Sequence, residues 1–98
     1  MAAILHVRGE IRLGEWSRYQ EAVRHYIEYR KKNGCVVPTV LFGMSGPMNS
    51  TVLVYRYGSA RDLEEEERRL AEDPEYGRVA SEMPFRDGSI TYELYREG

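Results

Sequence analysis

The strongest constraint on the fold of this chain is a short apolar run that follows a turn signal. Every side chain of residues 51–57 except Arg56 is β-branched, aromatic or leucine, which suits the pleated and largely buried surface of a strand. Gly46-Pro47 stands just before the run, where glycine supplies unusual backbone angles and proline donates no ladder hydrogen bond. The sequence therefore predicts a turn at Gly46-Pro47 and a largely buried strand over residues 51–57.

Two helix starts follow that strand. Ser59 stands three residues before Asp62, close to the spacing of a capping box, and it precedes strong helix formers. Asp73 is followed by Pro74, and this pair is typical of a helix start because Asp caps helices and Pro is tolerated at the first helical position. The face of the second helix that we expect to be buried has spacings of three and four residues and comprises Tyr76, Val79, Ala80 and Met83.

The first part of the chain is typical of a strand followed by one long helix. Apolar and polar residues alternate over residues 5–13, as in a strand with one apolar face, and Gly9 indicates a bulge or bend. Residues 15–32 repeat apolar side chains at helical spacing, and Asn33-Gly34 supplies a stop. The helix residues that we expect to be buried against the sheet include Trp16, Val23 and Ile27.

Two further strands complete the predicted order. Residues 36–44 are rich in β-forming side chains but contain Pro38 and Gly43, which favours an edge strand or a bulged one. After the Asp87-Gly88 turn, residues 90–95 alternate as in a strand. The order is strand, helix, two strands, one or two helices, strand.

Several of these motifs resemble the NIPSNAP-like family within the dimeric α/β-barrel superfamily. The motifs are the turn Gly46-Pro47-x-Asn49, the strand end Tyr55-Arg56-Tyr57, the Ser59 cap and the Asp73-Pro74-x-aromatic step. Two positions depart from the family pattern, because Leu53 stands where the family often carries His and Gly58 where it usually carries Asp. The resemblance implies a homodimer and a fold, and it implies no particular reaction.

The predicted order is the βαββαβ arrangement of a ferredoxin-like α+β fold, with an antiparallel four-stranded sheet in a single domain, residues 1–98. Helices must cover one face of such a sheet, and we expect Leu5, Val7 and Ile11 beneath the first helix. A second copy of the chain would close the opposite face into a dimeric α/β barrel with a cavity. By alternation we assign to that opposite face His6, Arg8, Glu10, Leu53, Tyr55, Tyr57, Glu93 and Tyr95.

We expect any catalytic or ligand-binding site on that opposite face. His6 and Glu10 project from the same side of the first strand and are candidates for a catalytic base and its partner, since His titrates near neutral pH. The alternative is a histidine that faces solvent or an interface and has no catalytic role. The candidate ligand-binding residues are Arg8, Leu53, Tyr55, Tyr57, Glu93 and Tyr95.

Other reactive residue types receive structural roles. The single Cys35 can form no internal disulfide and no zinc site by itself, so we expect a small buried or partly buried side chain. We expect His25 to be exposed, and residues 64–69 to form a solvated helix face with Glu64–Arg68 and Glu65–Arg69 pairs. Neither a metal nor a cofactor is expected.

Composition narrows the class of protein. The chain has 42% hydrophobic and 31% charged residues, as in ordinary globular proteins. No apolar run approaches the roughly 20 residues needed to span a bilayer. A net charge of −2 without a large basic cluster argues against a nucleic-acid partner. The N-terminus has no signal-peptide pattern, so we expect the cytoplasm.

Two functions from different classes remain open. The first is a small dimeric module that binds an apolar or aromatic small molecule, or a partner, in its barrel cavity, as the NIPSNAP-like resemblance allows. The second is a cofactor-independent enzyme, similar to antibiotic-biosynthesis monooxygenases or cyclases, that deprotonates an aromatic or polyketide-like substrate with His6 or Glu10. The first takes precedence because it needs no catalytic group.

Overall fold

The computed structural model describes residues 1–44 and 49–98, so the predicted turn at Gly46-Pro47 lies outside the described residues. Within them the chain forms, in order, β1 (Ala3–Glu10), α1 (Trp16–Lys32), β2 (Thr39–Phe42), β3 (Ser50–Tyr57), α2 (Ala60–Ala71), α3 (Pro74–Ser81) and β4 (Thr91–Arg96). This is the predicted order, with two helices between the last two strands. Of the helices in the described residues, none has the length and apolar character needed to cross a membrane.

The four strands form one sheet in the order β2-β3-β1-β4, and every neighbouring pair is antiparallel. The first and third strands therefore occupy the centre, as the apolar run of β3 predicts. β2 is an edge strand that begins directly after Pro38, which confirms the edge position inferred from that proline. With its helices on one face of the sheet, the chain has the predicted ferredoxin-like α+β fold.

The register between β1 and β3 decides which residues face the helices, and it corrects the sequence-based assignment. Leu5 pairs with Tyr55 and Val7 with Leu53, and directly opposed residues of an antiparallel pair lie on the same face. Leu53, Tyr55 and Tyr57 are buried at 1%, 4% and 5% exposure, beneath the helices and not on the opposite face. The assignment was wrong because β3 is apolar on both faces, so alternation alone could not orient it.

The sheet face that packs against the helices is called the helical face, and helix α1 covers its centre. Tyr19, Val23 and Tyr26 are buried in the core, and Ile27 is half-buried against it. The prediction that Trp16 is buried is wrong, because its side chain is 44% exposed. Trp16 is the first residue of the helix and packs edge-on against Phe42 of the edge strand, with 5.0 Å between ring centroids.

The two remaining helices begin at the predicted caps. Ser59 accepts a hydrogen bond from the Asp62 backbone N–H at 3.1 Å, and Asp73 accepts one from the Glu75 N–H at 3.0 Å. The Tyr29 hydroxyl also donates to the Asp73 carboxylate, so the cap of α3 is tied to α1. The predicted face of α3 packs on the core, which confirms the assignment of Tyr76, Val79, Ala80 and Met83.

The segment between α3 and β4 pairs with the end of β1. Ile11 forms an antiparallel bridge with Phe85, and the Arg86 N–H donates to the Glu10 carbonyl at 2.8 Å. Gly9 is paired regularly with Thr51, so the predicted bulge is absent there. Instead, the Phe85 ring packs directly on Gly9, and a Cβ atom added to Gly9 would lie only 2.8 Å from that ring. Glycine is required at this position by close packing.

We expect Gly9→Ala to lower the free energy of unfolding by about 1–3 kcal/mol, because the new methyl group overlaps the Phe85 ring. The matched control is Gly77→Ala in α3, where an added Cβ meets nothing within 4 Å. Because Ala favours a helix over Gly, the control is expected to gain up to about 1 kcal/mol. Urea denaturation measures both changes, and a Gly9→Ala variant as stable as the control would contradict this packing.

Candidate functional site

A cavity of about 620 Å³ lies between the helical face of the sheet and helices α2 and α3. This volume lies within the usual range of small-molecule sites. Ile90 and Tyr92, which are 42% and 70% exposed, line its outer part beside β4. The other wall residues are mostly apolar and include Leu5, Val7, Leu53, Leu70, Ala80 and Met83.

One buried cation lies at the wall of this cavity. Arg30 is only 2% exposed and occupies the apolar stripe of α1, one helical turn after Tyr26. Its guanidinium donates to the Tyr26 hydroxyl at 3.1 Å and to the Tyr57 hydroxyl at 3.2 Å. Nε donates to the backbone carbonyl of Val36. Helix α1 thus places a positive charge in the core, where hydrogen bonds to protein groups replace its hydration by water.

Glu66 of α2 supplies the opposite charge. Its carboxylate is 9% exposed, forms an ion pair with Arg30 and accepts a hydrogen bond from the Val36 N–H at 3.2 Å. A buried charge is tolerated when it is both paired and hydrogen-bonded, and removal of one partner is strongly destabilising. The pair therefore compensates the charge of Arg30, and the other charged residue that lines the cavity is the exposed Glu67.

Tyrosine hydroxyls form the polar part of the wall. The hydroxyls of Tyr26 and Tyr55 are 2.7 Å apart, and the Arg30 Cζ lies 4.9 Å from the centre of the Tyr55 ring. Burial, followed by the neighbouring Tyr26, raises the pKa of Tyr55, and burial likewise raises the pKa of Tyr57. These phenols consequently stay protonated at neutral pH and act as hydrogen-bond donors.

The residues that the sequence proposed as one ligand-binding set lie on two faces of the sheet. Leu53, Tyr55 and Tyr57 line the cavity from the helical side. In the β1–β4 register Glu93 is opposite His6, so Glu93 and Tyr95 lie on the other face. Arg8 lies on that other face as well, 3.5 Å from the Glu93 carboxylate.

The structure does not bring His6 into contact with Glu10. The two residues are four positions apart on β1, a rise of roughly 13 Å, which is beyond hydrogen-bond reach. The Glu10 carboxylate instead pairs with Arg86 at 2.7 Å, and the His6 ring lies 5.0 Å from the ring of Tyr95. Both residues lie on the open sheet face, and neither lines the cavity.

Sequence reasoning missed the buried ion pair of the site. Arg30 was visible as part of the apolar stripe of α1, a position where a charge is unusual. Glu66 lies three residues after Leu63 and four before Leu70, on the buried face of α2, although its acidic neighbours suggest a solvated run. A charge at a core position on each of two helices is the signal that predicts such a pair.

The structure agrees with the structural role predicted for Cys35, and it differs from the ion pairs predicted on α2. Cys35 is buried, and burial followed by Glu66 raises the pKa of its thiol, which fits a structural role. Arg69 donates to the Cys35 Sγ at 3.3 Å, and the surface pair on α2 is Arg61–Glu65. The Glu64–Arg68 and Glu65–Arg69 pairs are absent from the described residues. The His25 side chain is 41% exposed, and its Nδ1 lies 3.4 Å from a carboxylate oxygen of Glu82.

The fold is similar to that of several solved structures. A NIPSNAP family protein from Agrobacterium tumefaciens matches with a TM-score of 0.79 at 18% identity, over 100% of this chain and 94% of that chain. A second one from the same organism, of unknown function, gives 0.77 at 20% identity over 96% and 86%. A candidate antibiotic biosynthesis monooxygenase from Deinococcus radiodurans gives 0.68 at 12% identity over 98% and 92%.

No family model matches the chain, and no curated protein sequence matches it. At these low identities the structural matches establish the fold. The chain therefore has the ferredoxin-like α+β fold of the solved NIPSNAP family proteins, which confirms the fold that its motifs imply.

Proposed function

We propose that this chain is a one-domain, cytoplasmic, NIPSNAP-like module that binds an apolar or aromatic small molecule in the cavity between its helices and its sheet. The observation that supports this most directly is the cavity itself, which combines apolar walls with a few fixed polar groups. That combination is typical of sites that bind drug-sized ligands, because apolar contact supplies affinity and polar groups supply orientation.

The geometry favours binding over a deprotonation reaction. A base needs a free lone pair near the substrate, whereas the Glu66 carboxylate is committed to Arg30 and the phenols of the wall are protonated. Glu67 also lines the cavity, but it is exposed to solvent on α2 and not buried beside the phenols. His6 and Glu10, the bases that the sequence offers, lie on the open face of the sheet. We therefore place the monooxygenase-like alternative second.

A ligand of this kind should stabilise the fold, and filling the cavity should abolish the effect. A flat aromatic compound such as naphthalene is expected to raise the melting temperature, because a ligand that binds only the native state stabilises it. Ala80 lines the cavity, so Ala80→Phe should weaken binding at least about tenfold by occupying the space.

The matched control is Ala60→Phe at the exposed start of α2, which adds the same ring outside the cavity and should leave binding unchanged. Thermal shift and calorimetric titration measure both variants. Equal binding by Ala80→Phe and the control would show that the cavity is not the site.

We also propose that the chain forms a homodimer through its open sheet face, instead of through Tyr55 and Tyr57. Leu41 and Tyr95 on this face are 49% and 46% exposed, and His6, Val52 and Val54 are half-buried. One face of a sheet that carries this much apolar surface is commonly covered by another layer. Packing of two such faces would give the barrel that the family resemblance implies.

Light scattering is expected to give twice the chain mass of 11.4 kDa at micromolar concentration. Val54→Lys introduces a charge at the centre of the open face and should yield monomers, since an unpaired buried charge opposes association. Val37→Lys, at a site that is 40% exposed in the connection before β2, is the control and should remain dimeric. A wild-type monomer at these concentrations would overturn this proposal.

A further inference from the structure

The hydrogen bond between Tyr26 and Tyr55 leaves one phenolic proton unused. The two hydroxyls are 2.7 Å apart and together carry two protons, of which their mutual hydrogen bond uses one. Arg30 approaches Tyr26 as a donor and therefore consumes a lone pair and no proton. The second proton of the pair must be directed elsewhere.

A third tyrosine beside the pair does not change this count. The ring of Tyr76 lies 6.1 Å from that of Tyr26, and burial, followed by the neighbouring Tyr26, raises the pKa of this third phenol. An open chain of three hydroxyls uses two of its three protons internally and again leaves one. Because Tyr26, Tyr55 and Tyr76 all line the cavity, the remaining phenolic proton lies at the cavity wall.

The charge of the wall constrains the charge of a ligand. The Arg30 guanidinium is matched by the Glu66 carboxylate, and it also donates to Tyr57. The other charged residue that lines the cavity, Glu67, is itself acidic. An anionic ligand would meet a guanidinium that is already neutralised while losing its own hydration, which is costly in an apolar cavity. A neutral molecule avoids that cost.

We propose that the ligand of this cavity is a neutral, largely apolar molecule with one hydrogen-bond-acceptor oxygen, of the ketone or ester class, whose oxygen accepts the unused proton of the Tyr26–Tyr55 pair. This inference rests on the proposed binding function. The oxygen lies at the inner, tyrosine-bearing wall, and the apolar remainder extends past Ala80 and Met83 toward the exposed Ile90 and Tyr92.

Three probes of similar size test the proposal: 2-acetylnaphthalene, its hydrocarbon analogue 2-ethylnaphthalene, and the anion 2-naphthoate. The carbonyl stretch of bound 2-acetylnaphthalene should move to lower wavenumber than in hexane, because a hydrogen bond weakens the C=O bond. The Tyr26→Phe/Tyr55→Phe/Tyr76→Phe variant removes the phenolic protons of all three tyrosines, and the stretch should then return to its hexane position. Ketone affinity should fall about three- to tenfold relative to the hydrocarbon, the usual net value of one hydrogen bond.

Tyr19→Phe is the control, because it removes a buried phenol that hydrogen-bonds Thr51 and does not line the cavity, and it should preserve both the shift and the affinity ratio. Retained binding of 2-ethylnaphthalene shows that the triple variant is folded. If it is not, the Tyr26→Phe/Tyr55→Phe variant serves, since the phenolic proton that remains is then on Tyr76 and the carbonyl shift should change in size. Binding of both neutral probes to the wild type without a carbonyl shift, or tighter binding of 2-naphthoate, would overturn the ligand class alone. No binding of any probe would overturn the binding function as well.

Discussion

The ion pair between Arg30 and Glu66 is the interaction on which the rest of the structure depends. Both side chains lie in the core, and neither charge can be left alone at that depth without a cost of several kcal/mol. Helices α1 and α2 are therefore held at the separation that lets the two groups meet. The backbone of Val36 bonds to both, so the segment that leads into the edge strand is fixed by the same pair.

The cavity follows from how this charge is solvated. The Arg30 guanidinium donates hydrogen bonds to the phenol oxygens of Tyr26 and Tyr57 and lies over the ring of Tyr55. The same tyrosines line the space beneath α2 and α3. Side chains that stabilise the fold thus also form the polar wall of the site, and a change that loosens the ion pair should alter both stability and binding.

Local signals in the sequence were sufficient for most of the fold. The strand over residues 51–57, the Ser59 and Asp73 caps and the edge position after Pro38 each depend on near neighbours in the chain. The orientation of β3 was not predictable in this way, because Val52 and Val54 are as apolar as Leu53 and Tyr55, and only the register with β1 distinguishes the two faces. Glu66 was missed because a charged side chain within an acidic run is ordinarily solvated, and its partner lies on another helix.

A double-mutant cycle on the ion pair tests this account most directly. Arg30→Met and Glu66→Met should each lower the free energy of unfolding by about 3–5 kcal/mol, because each leaves the other charge buried and unpaired. The double variant should lose clearly less than the sum of the two single losses, since it leaves no unpaired charge. Urea denaturation supplies all three values. Strictly additive losses, or single losses below about 1 kcal/mol, would contradict the claim that this pair holds α1 and α2 together.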